Sequence, residues 1–257
     1  MRRLVGPTPQ NSWQVGSDEV DVCRIKAAAN PLSIPARPKR LTLDLAHTAL
    51  VVIDLQNDFC HEKGWLASTG RDVSAATSAI DTVAELLPVL RSTKVPIVWV
   101  TWAARADRAN IPPSVLHTYD FAGGGRGIGS PLPGSGEHAM QTGSWSAEVV
   151  SRLIIADSDL HVAKHRLSGF FDTPLDSILR NLRADTLMFA GVNADQCVLA
   201  TLTDAACLGY DPILLLDAVS TTSPDFCMRA TVYNVEHGLG FTANAADIIA
   251  SLGTAQG

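Results

Sequence analysis

The stretch Thr186–Ala218, TLMFAGVNADQCVLATLTDAACLGYDPILLLDA, contains a strand, a helix and a second strand in close succession. Its apolar runs, Thr186–Val192 and Ile213–Ala218, have the length and composition of buried strands. Between them, Val198–Leu208 has the length expected of a helix. Two buried strands joined by a helix form a β-α-β unit, which is the building block of a parallel sheet.

The same alternation extends along most of the chain. The sequence predicts four further strands at Ala49–Ile53, Pro96–Trp102, His161–Lys164 and Leu239–Thr242. It predicts five further helices at Ala75–Leu90, Ala147–Ile154, Pro174–Asn181, Pro224–Glu236 and Ala245–Leu252. We therefore expect an α/β fold, a single doubly wound domain whose mostly parallel central sheet has about six strands and helices on both faces.

Two segments lack this alternation. Residues 1–47 are rich in Pro, Gly and Asn, and we expect an irregular N-terminal extension that wraps the domain or reaches a neighbouring subunit. The α/β domain would then cover residues 48–257. The Gly/Pro-rich stretch Pro112–Gly143 contains a glycine-rich loop at 122–136, which is either a lid or part of a subunit interface; the sequence leaves both open.

Composition excludes several classes of protein. The 257 residues carry a formal net charge of −6, which argues against a nucleic-acid surface. No apolar run reaches the length of a membrane span and none follows the basic N-terminus as in a signal peptide, so we expect a cytoplasmic protein with no membrane partner. The five cysteines are dispersed and form no C-x-x-C pair, which argues against a disulfide scaffold or a structural zinc site.

Three reactive side chains follow predicted strands. Asp54 comes directly after one strand, Lys164 ends another, and Cys197 lies five residues beyond a third, at the start of a helix. Ligands of such sheets bind at the carboxyl ends of the strands, so these side chains are expected to meet there. A helix N-terminus and a nearby ammonium favour the thiolate of a cysteine. Taken singly, Asp54 as a turn cap, Lys164 as a surface residue and Cys197 as a core thiol remain alternatives.

Three segments together resemble the isochorismatase-like cysteine hydrolases. They are VVIDLQNDF (Val51–Phe59), Lys164 and GVNADQCVLATLTDAACLGY (Gly191–Tyr210), and the resemblance extends from about Thr48 to Leu252. It implies that Asp54, Lys164 and Cys197 form the catalytic triad. SGFFDTPLDSILR (Ser168–Arg180) looks most like the branch that hydrolyses ureido compounds, which includes ureidoacrylate amidohydrolases and, more distantly, biuret and triuret hydrolases.

The resemblance also implies a mechanism. In this family a cis peptide corresponds to the bond between Val192 and Asn193, and it turns the Asn193 N–H toward the substrate beside the Cys197 N–H to form an oxyanion hole. Asp54 would accept the thiol proton, Lys164 would stabilise the charged pair, and water would hydrolyse the thioester or thiocarbamate intermediate, with release of ammonia or an amine. Relatives commonly form dimers or tetramers, so a homo-oligomer is expected.

No cofactor is expected. Some relatives, the nicotinamidases, hold a metal with Asp and His residues, but the matching region here, Thr101–Asp107, has no histidine, and the seven histidines lack ligand spacing. The glycine-rich run Gly123–Gly129 follows no strand, so it does not fit a phosphate-binding loop.

The substrate contacts are less constrained. Phe59, Trp102 and Phe170 are candidates to line a small pocket, although aromatic residues at such positions more often belong to the core. Glu236 lies near the segment where biuret hydrolases present a glutamine, and a carboxylate there would accept N–H bonds from a neutral ureide but repel an anion. We therefore expect triuret or biuret, with ureidoacrylate or an N-carbamoyl amino acid as the alternative. A catalytically silent binding protein with the same fold is the non-enzyme alternative.

Overall fold

The computed structural model describes residues 2–120 and 123–254. The N-terminal part has five short strands: β1 (Arg3–Thr8), β2 (Asn11–Val15), β3 (Val20–Asp21), β4 (Pro31–Ile34) and β5 (Leu41–Asp44). The first three form an antiparallel sheet, and β4 pairs with β5 as a hairpin. The prediction of an irregular segment over residues 1–47 is therefore wrong for the described residues. In β4 the side chains of Leu32 and Ile34 are buried and alternate with exposed residues, which is the pattern of a half-buried strand. With only four residues, the strand is too short for this alternation to stand out in the sequence.

The central sheet has six parallel strands, as predicted. They are β6 (Thr48–Ile53), β7 (Ile97–Trp102), β8 (Leu160–Lys164), β9 (Thr186–Gly191), β10 (Asp211–Val219) and β11 (Phe241–Ala243). Their spatial order is β11-β10-β9-β6-β7-β8, and every neighbouring pair is parallel. All residues of β6 and β7 are buried, which explains their continuous apolar sequences.

Helices cover this sheet. They are α1 (Asn57–Cys60), α2 (Trp65–Ser68), α3 (Ala76–Ser92), α4 (Pro113–Tyr119), α5 (Leu175–Leu182), α6 (Leu199–Cys207), α7 (Asp225–Asn234) and α8 (Ala245–Thr254). Helix α3 packs against α8 and β10, and α6 also packs against β10. The crossovers β6-α3-β7 and β9-α6-β10 run in opposite directions, so right-handed connections place α3 and α6 on opposite faces. Within the described residues no helix is long and apolar enough to cross a membrane.

Two predictions for the segment before β8 need correction. The helix expected at Ala147–Ile154 is a single 3₁₀ turn at Trp145–Ala147, because the following backbone pairs with the chain after β6: the Val150 N–H donates to Leu55 O at 3.0 Å. The stretch Pro112–Gly143 also contains helix α4, which was not predicted. Of the glycine-rich loop 122–136, residue 122 lies outside the described residues.

The sheet order reverses between β6 and β9, where ligands bind in such folds. The two strands approach closely at their carboxyl ends. A Cβ on Gly191, the last residue of β9, would lie 1.9 Å from Ile53 O, and Gly191 has a φ of +125°. Only glycine fits this position, which brings the residues after β9 next to those after β6.

Candidate active site

Asp54 turns away from the sheet directly after β6. Its φ of 53° lies in the left-handed region, and its N–H donates to Val100 O at 2.9 Å, which fixes the turn. The side chain is 1% exposed. Burial raises the pKa of Asp54, and the Lys164 ammonium opposes this rise. Neither carboxylate oxygen accepts an aligned hydrogen bond from the described residues, so both retain lone pairs for a proton.

Lys164 reaches Asp54 from the edge of the sheet. It is the last residue of β8, opposite Trp102 of β7 in the strand register, and its side chain is fully buried. The ammonium lies 4.2 Å from the centroid of the Trp102 ring, which is a cation–π contact. The Lys164 side chain thereby extends past β7 toward the end of β6. Its Nζ is 2.9 Å from Asp54 Oδ2 and 3.3 Å from Cys197 Sγ. Three residues distant in sequence therefore meet at one rim.

Cys197 lies on an expanded helical turn. Residues Ala194–Val198 form one π-turn before α6, in which the Val198 N–H donates to Asn193 O at 3.3 Å. Such turns are frequent at functional sites. Burial raises the pKa of the Cys197 thiol to about 11, although Lys164 lowers it. Burial therefore favours the neutral thiol over the thiolate that the helix N-terminus and the ammonium would stabilise.

The peptide bond between Val192 and Asn193 is cis, the geometry that the resemblance implied. The Asn193 side chain is anchored, since its Oδ1 accepts the Thr222 N–H at 3.2 Å. Its main-chain oxygen accepts from Gln196 N at 3.0 Å. The Asn193 N–H has no acceptor among the described residues, so it is available to a ligand.

These residues border a cavity of about 420 Å³. Of the residues expected at the site, Asp54, Phe59, Val192, Asn193 and Cys197 line it. The remaining lining residues were not predicted: Trp65, Leu66, Arg71, Thr118, Tyr119, Leu167, Gln196, Thr222 and Ser223. Arg71 is the one basic residue among the described lining residues, which gives the cavity a cationic group apart from the buried Lys164.

The isochorismatase domain matches residues 48–246. The chain belongs to the isochorismatase family. The residue range agrees with the extent of the resemblance and leaves out the N-terminal strands β1–β5.

Two curated relatives of this family member carry the same activity name. Ureidoacrylate amidohydrolase RutB from Enterobacter sp. (strain 638) is 32% identical over 217 residues, which cover 84% of this chain and 93% of the relative. The protein of the same name from Agrobacterium fabrum (strain C58 / ATCC 33970) is 33% identical over 229 residues, covering 84% and 94%. These names confirm the predicted class, a hydrolase that acts on carbon–nitrogen bonds other than peptide bonds.

Solved structures of the family share the fold. A cysteine hydrolase from Pseudomonas syringae pv. phaseolicola 1448A has a TM-score of 0.70 at 22% identity and covers 89% of this chain and 100% of its own. The N-carbamoylsarcosine amidase from Thermoplasma acidophilum has a TM-score of 0.57 at 23% identity and covers 77% and 96%. At this identity the likeness confirms the fold class alone.

Three expected substrate contacts lie elsewhere in this isochorismatase-family protein. Trp102 is buried behind Lys164 and does not reach the described cavity lining. Phe170 packs on Tyr210, with ring centroids 5.9 Å apart. Glu236 accepts a hydrogen bond from the Thr242 hydroxyl at 2.7 Å and is likewise outside the lining. The positions of Trp102 and Phe170 near predicted strand ends, and of Glu236 at the end of a predicted helix, did not reveal the directions of these side chains.

Gln56 is a supporting residue that was not predicted. It is fully buried, its Nε2 donates to Trp102 O at 2.9 Å and to Ala147 O at 2.6 Å, and its Oε1 accepts the Trp102 N–H at 2.8 Å. It thereby binds the end of β7 to the turn that carries Asp54. An amide two residues after Asp54, close behind the apolar run of β6, is the sequence feature that could have indicated this role.

Residues 2–120 and 123–254 contain no group of three or more His, Cys, Asp or Glu side chains that could hold a metal ion.

Proposed function

We propose that this protein hydrolyses a small ureido carboxylate of the ureidoacrylate type, with Asp54, Lys164 and Cys197 as catalytic residues. The observation that carries the proposal is the position of the Lys164 Nζ, 2.9 Å from Asp54 Oδ2 and 3.3 Å from Cys197 Sγ, beside a cavity of about 420 Å³. This arrangement provides a nucleophile, a base and a fixed cation within contact distance.

The first half of the reaction forms a covalent intermediate. The Asp54 carboxylate takes the proton of Cys197, and the thiolate attacks the ureido carbonyl. The oxyanion that forms accepts hydrogen bonds from the main-chain N–H groups of Asn193 and Cys197. The C–N bond then breaks, the amine leaves with the proton from Asp54, and a thiocarbamate remains on the sulfur.

The second half regenerates the thiol. Asp54 takes a proton from water, and the resulting hydroxide attacks the thiocarbamate carbonyl. The C–S bond breaks, the thiolate recovers the proton from Asp54, and carbamic acid is released. The Lys164 ammonium stabilises the negative charge as it moves between the carboxylate and the sulfur.

The choice of an anionic ureide rests on two observations. Arg71 lines the cavity and offers a guanidinium to a carboxylate. Glu236 was the residue that favoured triuret or biuret as the substrate. It lies outside the described cavity lining, so the argument that its carboxylate repels an anionic substrate no longer applies. The activity name of the curated relatives supports the same choice.

We further propose that the protein is a cytoplasmic homo-oligomer. Several apolar side chains of the N-terminal strands and the segment after them are exposed, among them Leu4, Trp13, Val20 and Ile25. Burial of these side chains in a subunit contact would remove apolar surface from water. Light scattering on the purified full chain tests this, and a monomer mass would contradict it.

A substrate panel tests the function. Ammonia release would be measured with ureidoacrylate, N-carbamoylsarcosine, biuret and triuret, using the wild-type chain and a Cys197→Ala control. We expect the highest kcat/KM with an anionic ureide and no turnover by the variant. Turnover of biuret or triuret alone would overturn the substrate class. If no amide is hydrolysed, the silent binding protein becomes the better explanation.

A further inference from the structure

Tyr119 brings a fourth polar group to the reacting sulfur. It is the last residue of α4, and its hydroxyl lies 4.0 Å from Cys197 Sγ, within hydrogen-bonding range for sulfur. Neither the strand ends nor the triad resemblance pointed to this residue, which comes from the segment between β7 and β8. The sulfur therefore contacts both the Lys164 ammonium and the Tyr119 phenol.

Aromatic packing fixes the phenol ring. The ring stacks on Trp65, with centroids 5.7 Å apart and an interplanar angle of 30°. It also meets Trp102 edge-on, with centroids 5.0 Å apart. The Trp65 Nε1–H donates to Arg126 O at 2.6 Å, so the same indole also binds the chain that follows α4. The hydroxyl is held near the sulfur by contacts that do not depend on the hydroxyl itself.

The surroundings decide which way the hydrogen bond runs. Burial raises the pKa of Tyr119 well above its ordinary range, and negative charge on Cys197 and Asp54 raises it further. The phenol thus keeps its proton and acts as a donor. Burial favours the neutral form of the Cys197 thiol, and its sulfur becomes a strong acceptor when Asp54 removes the proton.

We propose that Tyr119 is a further catalytic residue, which donates a hydrogen bond from its hydroxyl to the Cys197 thiolate as the nucleophile forms. This inference rests on the proposed cysteine chemistry and deepens it. No bond at Tyr119 is made or broken, because its proton stays on the oxygen while the thiol proton passes to Asp54. The bond strengthens with the charge on sulfur and weakens again once the thiocarbamate forms, so it lowers the barrier to attack.

The variant Tyr119→Phe tests the role, since it removes the hydroxyl and keeps the ring. Tyr210→Phe is the matched control: its hydroxyl donates to Asp176 at 2.8 Å, and Tyr210 is not among the described cavity-lining residues. Two readouts are used on the full chain. One is kcat and KM with ureidoacrylate, and the other is the rate of Cys197 alkylation by iodoacetamide between pH 7 and 9, resolved by peptide mass spectrometry.

We expect Tyr119→Phe to lower kcat about tenfold with little change in KM, and to slow alkylation of Cys197 about tenfold at each pH. Tyr210→Phe should change neither. Unchanged alkylation in Tyr119→Phe, or an effect on KM alone, would overturn the inference and would mean that the ring only lines the cavity. Alkylation needs no substrate, so slower alkylation in a chain that hydrolyses no ureide would refute the proposed function and leave the contact with the thiolate supported.

Discussion

Lys164 and Asp54 form an ion pair, 2.9 Å between Nζ and Oδ2, in which the two side chains are 0% and 1% exposed. Each charge is removed from water and is compensated mainly by the other. The Lys164 ammonium therefore opposes the rise in the pKa of Asp54 that burial causes, and the pair holds the ends of β6 and β8 together.

Breaking this pair from one side should destabilise the fold strongly. We expect Lys164→Met and Asp54→Asn each to lower the free energy of unfolding by roughly 3–5 kcal/mol, because each leaves an uncompensated buried group. The double variant should lose less than the sum of the two. Urea denaturation measures all three. The exposed pair Arg152–Asp81 is the control, and Arg152→Met should cost about 1 kcal/mol or less. Additive losses in the double variant would show that the buried pair is not coupled.

Removal of the nucleophile should abolish turnover while the fold persists. Cys197→Ser replaces a thiol by a weaker nucleophile in the same place, and we expect kcat to fall by at least about 10³-fold. Cys207→Ser is the matched control, since Cys207 is exposed at the end of α6. Ammonia release measures activity, and thermal unfolding checks that both variants fold. Comparable activity in Cys197→Ser would exclude thiolate attack.

Much of this site could be predicted because it follows from the topology. Asp54, Lys164 and Cys197 all lie at or just beyond the carboxyl ends of parallel strands, and these ends share one edge of the sheet. The alternation of apolar strands and helices therefore placed the three residues at one edge of the sheet, and the family resemblance grouped them as one site. The protonation state was not predictable in this way, since it depends on how deeply the sulfur is buried.

Side chains from the irregular segments could not be predicted. Tyr119 reaches the sulfur only because its ring packs between Trp65 and Trp102, which lie far from it in sequence. Arg71 lines the cavity from the link between α2 and α3, where no periodicity indicates a direction. Such positions result from long-range packing, which a local pattern of residues does not contain.

Substrate charge should be recognised by Arg71 and not by Glu236. We expect Arg71→Gln to raise KM for ureidoacrylate about tenfold, since a charge-assisted contact to the carboxylate is lost. Turnover of any neutral ureide by the same variant should be unchanged. Glu236→Gln, which alters a residue outside the described cavity lining, should leave both values as they are. Initial rates across a substrate series measure this. A change in specificity with Glu236→Gln would restore the preference for a neutral substrate.

Asp58 should make the stability of the protein depend on pH. Its carboxylate is buried, its Oδ2 accepts the Met140 N–H at 2.7 Å, and burial raises its pKa to about 7 from an ordinary 3.8. Between these two values the folded state holds a proton that the unfolded state has lost. The contribution of Asp58 to stability is therefore full below pH 3.8 and declines as the pH rises toward 7.

Asp58→Asn removes this titration and keeps an oxygen to accept the Met140 N–H. The free energy of unfolding of the variant, relative to the wild type, should therefore rise by at most about 3 kcal/mol between pH 5 and pH 8. Urea denaturation of both proteins at the two pH values gives this difference, in which the titration of all other groups cancels. Asp81→Asn, at an exposed carboxylate, should show no comparable change. If the stability of Asp58→Asn relative to the wild type stays constant or falls with pH, the prediction is wrong. The Asp58 carboxyl would then already be ionised at pH 5 in the folded protein, and the Met140 N–H would bind a charged group throughout.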